Sequence, residues 1–257
     1  MGLRINSNIA AFNAYRNLQN TDKAQNSALE KLSSGLRINK AADDAAGLAI
    51  SENLRSQIGG LKVAVRNAQD GVNLVQTADG ALTEVHSILQ RMRDLAVQAS
   101  NGGTQTSESQ KAANQEFEEL AKELDDISGK TAFGGKNLLD GTYNGSFQVG
   151  ANKGDVLAVA IASTGTAGFD SADLALSTSS LYDDAAGSVV TGVSNAQDAL
   201  LAIGSAITTV SESRAKLGAT QNRLEHKINN LNVTIENVTA SESAIRDTDM
   251  AEEMTRF

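Results

Sequence analysis

The chain has 257 residues, 22 Lys and Arg against 31 Asp and Glu, a formal net charge of −9, no cysteine, no proline, no tryptophan and 4% aromatics. Disulfides and thiolate metal sites are therefore excluded, and the acidic balance argues against a nucleic-acid partner, which would call for a basic face. With so few rings, burial has to come from Ala, Val, Leu and Ile, which suits closely packed helices, and the missing proline removes the commonest helix breaker.

Residues 1–32 carry a loose amphipathic pattern, Ile5, Ile9, Phe12, Leu18, Leu29 and Leu32, that needs a partner. Asn8 and Asn13 interrupt its apolar stretch and no cleavage site follows, so it does not read as a secretory leader. No segment approaches the roughly 18 apolar residues of a membrane span. The next stretch, KLSSGLRINKAADDAAGLAIS over residues 31–51, sets three basic residues, the Asp43–Asp44 pair and two glycines among small and aliphatic side chains. It contains no nucleophile, metal box or phosphate cradle.

The strongest signal begins at Leu61. Leu61, Ala68, Val75, Leu82, Leu89 and Ala96 recur at every seventh position, and Ala64, Gly71, Ala78, Val85, Met92 and Ala99 follow three residues behind them. Two such stripes predict a coiled-coil-like helix of about 40 residues and ~60 Å, stopped by Asn101-Gly102-Gly103. A shorter helix follows, with Ser107 and Gln110 as a capping box and Ala113, Phe117, Leu120, Leu124 and Ile127 as its apolar stripe.

Residues 129–192 then hold 11 of the 22 glycines and five of the nine aromatics. There Phe147–Val149 and Val156–Ile161, flanking Asn152-Lys153-Gly154, predict a β-hairpin. The Ser-, Thr-, Gly- and Asp-rich run beyond Thr164 reads as a small outward loop or irregular subdomain.

Ser194 and Gln197 read as the capping box of a last long helix, in which Ile203, Val210, Leu217, Leu224, Leu231 and Val238 keep the period of seven. Its partner series is read as Leu200, Ile207, Arg214, Gln221, Ile228 and Ile235. The expected core is thus Leu61, Val75, Leu82 and Leu89 facing Ile203, Val210, Leu217, Leu224 and Leu231, within a helical bundle. Residues 1–62 carry eight basic against five acidic side chains (+3), residues 241–257 two against five (−3), and a hairpin topology would bring these ends together.

Catalytic chemistry has little to stand on. His86 and His226 lie within the heptad helices and read as solvated flank residues, and there is no H-E-x-x-H. Asp43–Asp44, Glu118–Glu119 and Asp125–Asp126 read as helix-terminus or solvated charges. Asp247, Asp249, Glu252 and Glu253 lack the central glycine of a calcium loop. Neither an enzyme nor a cofactor is expected; the residues describe a structural subunit of an assembly.

One resemblance sharpens this. LEKLSSGLRINKAADDAAGLAISENLRSQIGGL resembles the N-terminal signature of bacterial flagellins. The likeness continues through RNAQDGVNLVQTADGALTEVHSILQRMRDLAVQASNG, FGGKNLLDG, FQVGANKGD and GATQNRLEHKINNLNVTIENVTASESAIRDTDMAEEM. It spans nearly all the chain except roughly 165–192. The resemblance implies a mainly α fold, a long antiparallel coiled-coil-like bundle with a small β-hairpin region and a short variable tip. Residues 1–40 would be the N-terminal part of an inner core with a spoke, and 41–164 a shell bundle with hairpins. Residues 165–192 would be a short outer region, 193–240 the returning shell helix and 241–257 the start of the C-terminal core segment.

The implied function is that of a subunit polymerising into the flagellar filament for motility, secreted without a cleaved signal peptide. Its partners would be other flagellin subunits, the export apparatus and the filament cap, with no membrane or nucleic acid. In the spoke, Gly35 and Gly47 would allow bending and close approach, Asp43 and Asp44 would favour the following helix N-terminus, and Arg37 and Lys40 would offer charges to neighbouring subunits. The segment LQRMRDLAVQ matches the surface that binds the flagellin-sensing Toll-like receptor, which makes Arg91, Leu95 and Glu116 the candidate contacts of a free monomer. Flagellins continue past the match to AEEMTRF into one more amphipathic helix, so the expectation is that residues 1–32 lack a partner here. A hook-associated junction protein of the flagellum, built on a similar helical plan, is the alternative.

Overall fold

The computed structural model describes residues 8–161, 168–176, 181 and 189–257. In chain order the elements are α1 (Ile9–Ser34), α2 (Ala45–Ala99), α3 (Ser107–Lys130), β1 (Ala132–Phe133), β2 (Lys136–Asn137), β3 (Asn144–Gln148), β4 (Val156–Ala160), α4 (Val189–Arg246) and α5 (Met250–Arg256). The fold is mainly helical, as expected, and divides into two compact units. The smaller comprises the described residues through Val63 with Leu231–Phe257, and the larger Ala64–Asn230. These boundaries differ from those expected near residues 40 and 240.

In the larger unit the period of seven becomes a core. From Ala64 to Ala99 all the apolar members of both α2 series are at most 1% exposed, and Gly71 is buried among them; Leu61, 8% exposed, opens the series in the smaller unit. A Cβ on Gly71 would stand 3.3 Å from Leu224 Cδ1 and 3.5 Å from the Phe147 ring, so α4 and the β3 strand both approach α2 there. Further along, Arg214 Nε donates to Asp79 Oδ1 at 2.8 Å. The pairings 71 with 224 and 79 with 214 run in opposite senses, which makes α2 and α4 antiparallel.

The returning helix departs from its expectation in two ways. It begins at Val189, upstream of Ser194, so that residue lies inside the helix and caps nothing. Gly192 lies so close to Gln110 that a Cβ there would meet Oε1 at 2.8 Å, which docks the first turns onto α3. The second buried stripe is Ala199, Ala206 and Ser213 at 0, 2 and 4% exposure, not the series from Leu200. Small side chains at those positions permit close packing, while Leu200, Ile207, Arg214 and Gln221 are only half-buried on the flank.

Thr106, not Ser107, caps α3, its side chain accepting from Ser109 N. Gln110 instead turns inward and donates to Ala99 O at 3.0 Å, tying α3 to the end of α2. The predicted hairpin forms, with β3 and β4 antiparallel and Asn144↔Ala160 and Gln148↔Val156 as its end pairs. Asn67 Nδ2 donates to Gln148 O at 3.1 Å and holds it on α2. A second, smaller hairpin, β1–β2, turns on Gly134 and Gly135, whose φ of 58° and 79° suit a two-residue primed turn. Periodicity gave no sign of it, because two-residue strands have none.

Within the expected outer region the described residues are tied inward. Phe169, Leu174, Leu176 and Leu181 are 0, 6, 1 and 0% exposed. Ser171 N donates to Asp125 Oδ1 at 2.7 Å and Leu181 N to Asn114 Oδ1 at 2.8 Å, both on α3. The rest of that expected tip, residues 165–167, 177–180 and 182–188, lies outside the described residues.

In the smaller unit Asn8 caps α1, accepting from Ala11 N at 3.1 Å. Gly35 ends the helix at φ 72°, a left-handed conformation suited to glycine. Ala28 is the one buried residue of α1, and the short α5 lies against this helix.

Candidate functional site

Positive and negative chain segments do meet in the smaller unit, and backbone hydrogen bonds stitch them. Thr248 N donates to Gly35 O at 3.1 Å and Arg37 N to Arg246 O at 2.7 Å, framing an antiparallel bridge between Leu36 and Asp247. The Arg37 guanidinium donates to Ile245 O as well. Arg246, with a side chain 12% exposed, reaches Glu52 Oε1 on α2 at 2.7 Å, while its buried Nε has no hydrogen-bond partner.

The loop from Ile38 to Asp44 is built by its own carboxylates. Asp43 Oδ2 accepts from the backbone N–H groups of Lys40 at 2.9 Å and Asn39 at 3.1 Å. These bonds hold its carboxyl below the ordinary range. Asp44 Oδ1 accepts from Gly47 N at 2.8 Å and so caps the start of α2. Lys40 pairs with Glu30 of α1 at 2.7 Å, and the hydrogen bond to that carboxylate raises its pKa. Ile38, 1% exposed, is the apolar plug beneath Gly47.

Arg37 and Lys40, offered by the sequence to neighbouring subunits, are thus engaged within the chain. The sequence reading did not find Glu52, Arg246 or Ile38; the opposite charges of the two ends were the available signal. Around this junction Lys31, Arg37, Asp43 and Asp44 face Asp249, Glu252, Glu253 and Arg256 across a cleft of about 320 Å³. Asp249 itself caps α5, accepting from Ala251 N and Glu252 N at 2.9 and 3.2 Å.

The second candidate surface lies on α2 and α3. Arg91 donates through Nε to Glu116 Oε1 at 2.7 Å, and the two side chains are 54% and 44% exposed. Leu95 is 2% exposed and belongs to the bundle core. A rigid partner approaching this face meets Arg91 and Glu116 but not Leu95. Of the two histidines, His226 is exposed, but His86 is half-buried, with Nε2 2.9 Å from the Gln90 amide and Nδ1 buried without a partner. Among the described residues no group of three or more His, Asp or Glu is placed to hold a metal ion.

A backbone-stitched junction and long helices with a buried period of seven define a helical structural subunit. Residues 5–144 match the bacterial flagellin N-terminal helical region and residues 200–257 the C-terminal helical region. The chain is 48% identical to a flagellin of Bacillus subtilis (strain 168) over 99% of this chain and 90% of that protein. It is 50% identical to a flagellin of Halalkalibacterium halodurans over 98% of this chain and 89% of that one. The crystal structure of Bacillus cereus flagellin is similar to it, with a TM-score of 0.53 at 32% identity over 65% of this chain and 88% of that structure. The chain belongs to the bacterial flagellin family and is a structural subunit of the flagellar filament; identities this high along nearly the whole chain set the hook-associated alternative aside.

Proposed function

We propose that the subunit is held in the filament through the smaller unit, with the apolar stripe of α1 covered by neighbouring copies and the stitched junction setting the direction in which that helix leaves α2. Ile9, Phe12, Tyr15 and Leu18 stand 67, 65, 61 and 58% exposed along this helix, and this is the observation that carries the proposal. Four large apolar side chains left exposed along one helix, each three residues from the next, mark an interaction site. Gly35, Arg37, Lys40, Asp43, Asp44 and Gly47 act here as a rigid internal bracket, and their value to assembly is positional. Delivery by the flagellar export apparatus and placement beneath the filament cap belong to the same reading. Phe12→Asp with Leu18→Asp tests it. The variant keeps its helical circular dichroism and fails to elongate flagellar seeds; normal elongation would refute the role of the stripe.

A second reading concerns the free monomer. The exposed Arg91–Glu116 pair supports recognition by the flagellin-sensing Toll-like receptor, with Leu95 acting from beneath by fixing the α2 face. Arg91→Ala is expected to weaken receptor activation in reporter cells about tenfold or more, the loss reported for an interfacial anchor. An unchanged dose response would remove the residue from the interface.

A further inference from the structure

We infer that the groove between the β3–β4 hairpin and α4 is the seat for the acidic outer face of α3 from a second copy of this chain. The inference rests on the filament reading and names two surfaces that meet in it.

The groove encloses about 630 Å³, with Val149, Val156 and Leu157 on the hairpin side and Arg223, His226 and Lys227 on the helix side. Its apolar wall is open: Val156 is 48% exposed. Arg223 and Lys227 stand four residues apart, and so on one face of α4, both exposed, and neither forms an ion pair among the described residues. Asp155 also lines the groove, but its Oδ2 accepts from Asn152 N at 3.2 Å and closes the turn. An apolar wall beside two unpaired cations, in excess over the single carboxylate of Asp155, fits an acidic partner with an extended surface.

That surface is present on the chain itself. Over Ser107–Lys130, α3 carries seven carboxylates against three lysines. Glu116, Glu119, Glu123 and Asp126 are all exposed, and their spacing of three, four and three residues lines them along the side of the helix away from buried Phe117, Leu124 and Ser128. The stripe is ~15 Å long, against ~10 Å from Arg223 to Asn230, so at least two carboxylates meet the cations at once. Glu116, Glu119 and Asp126 already hold Arg91, Lys122 and Lys130. These are exposed pairs of small worth, readily exchanged for interfacial ones. Groove and stripe are different patches, so the contact is heterologous: each subunit offers its groove to one neighbour and its stripe to another, and the contact repeats along a filament.

The chain has no cysteine, which permits a direct test. The full chain carrying Lys227→Cys and Glu123→Cys is grown on sheared flagellar seeds, pelleted and treated with a short bis-maleimide. Each single-cysteine variant serves as control. The expected result is a covalent ladder of trimers and longer species from the double variant alone. In parallel, Arg223→Glu with Lys227→Glu, checked for unchanged thermal unfolding, is expected to slow seeded elongation at low salt by at least about tenfold, as like charges now face each other. Pellets without a ladder, or unimpaired elongation by the charge-reversed variant, overturn this pairing and leave the filament role standing. If the unsubstituted chain does not elongate seeds at all, the filament reading fails and the pairing fails with it.

Discussion

Replacing Gly47 and Gly59 by alanine, one at a time, separates a glycine needed for space from one that is merely tolerated. Both lie within α2. A Cβ at position 47 would stand 2.4 Å from Asp44 Oδ2 and 2.8 Å from Ile38 Cδ1. Ile38 is 1% exposed and has nowhere to go, and Asp44 can move only by releasing the Gly47 N–H it caps. Loss of the cap costs about 1 kcal/mol and overpacking about 1–3 kcal/mol. Against these stands a gain of about 1 kcal/mol in helix propensity. The net expectation for Gly47→Ala is a destabilisation of about 1–3 kcal/mol. At Gly59 a Cβ would meet nothing within 4 Å. Gly59→Ala should therefore stabilise by about 0.5–1 kcal/mol.

Urea unfolding followed by circular dichroism, with amide exchange at residues 38–54 to localise the loss, reads both. On the proposed role of the bracket in directing α1, Gly47→Ala should also slow seeded elongation while Gly59→Ala should not. A Gly47→Ala variant at least as stable as Gly59→Ala would refute the bracket argument.

Core depth gives further outcomes. Leu224→Ala, at a site with 0% exposure against Gly71, should cost about 2–5 kcal/mol, whereas Leu201→Ala, 73% exposed on the same helix, should stay within about 0.5 kcal/mol of the parent in the same melt. Phe169→Ala should cost about 3–5 kcal/mol by urea titration, since its ring is fully buried in a region the sequence presents as an outward tip. Asp43, whose pKa is lowered first by the Lys40 N–H and then by the Asn39 N–H, contributes stability in full above its ordinary 3.8 and loses it as pH falls through the lowered value. Thermal unfolding of Asp43→Asn should accordingly lack the part of the parent's acid-side loss that begins just below pH 4.

Sequence reading reached the α2 stripe without error because every member is apolar or small and the period runs unbroken from Leu61 to Ala99. It misread the second stripe of α4 because hydrophobicity favours Leu200 and Ile207, while packing selects Ala199 and Ala206 for close approach. The capping box at Ser194 failed for a related reason: a local motif does not decide where a helix starts when tertiary contacts, here Gly192 against Gln110, extend it. At the junction, charge balance indicated that the ends meet. Yet Arg246–Glu52 and Arg37–Ile245 join residues about two hundred positions apart, and no periodicity encodes such pairs. Leu95 illustrates a further limit, since its place in a motif carries no information about whether its side chain faces the core.

The most direct test of the central claim is negative-stain electron microscopy of sheared flagellar seeds incubated with the purified chain. A filament subunit predicts seeds that lengthen from their ends into helical filaments, at a rate that rises with subunit concentration. A folded, monomeric chain that adds nothing to the seeds, at concentrations where a related flagellin elongates them, would contradict the account.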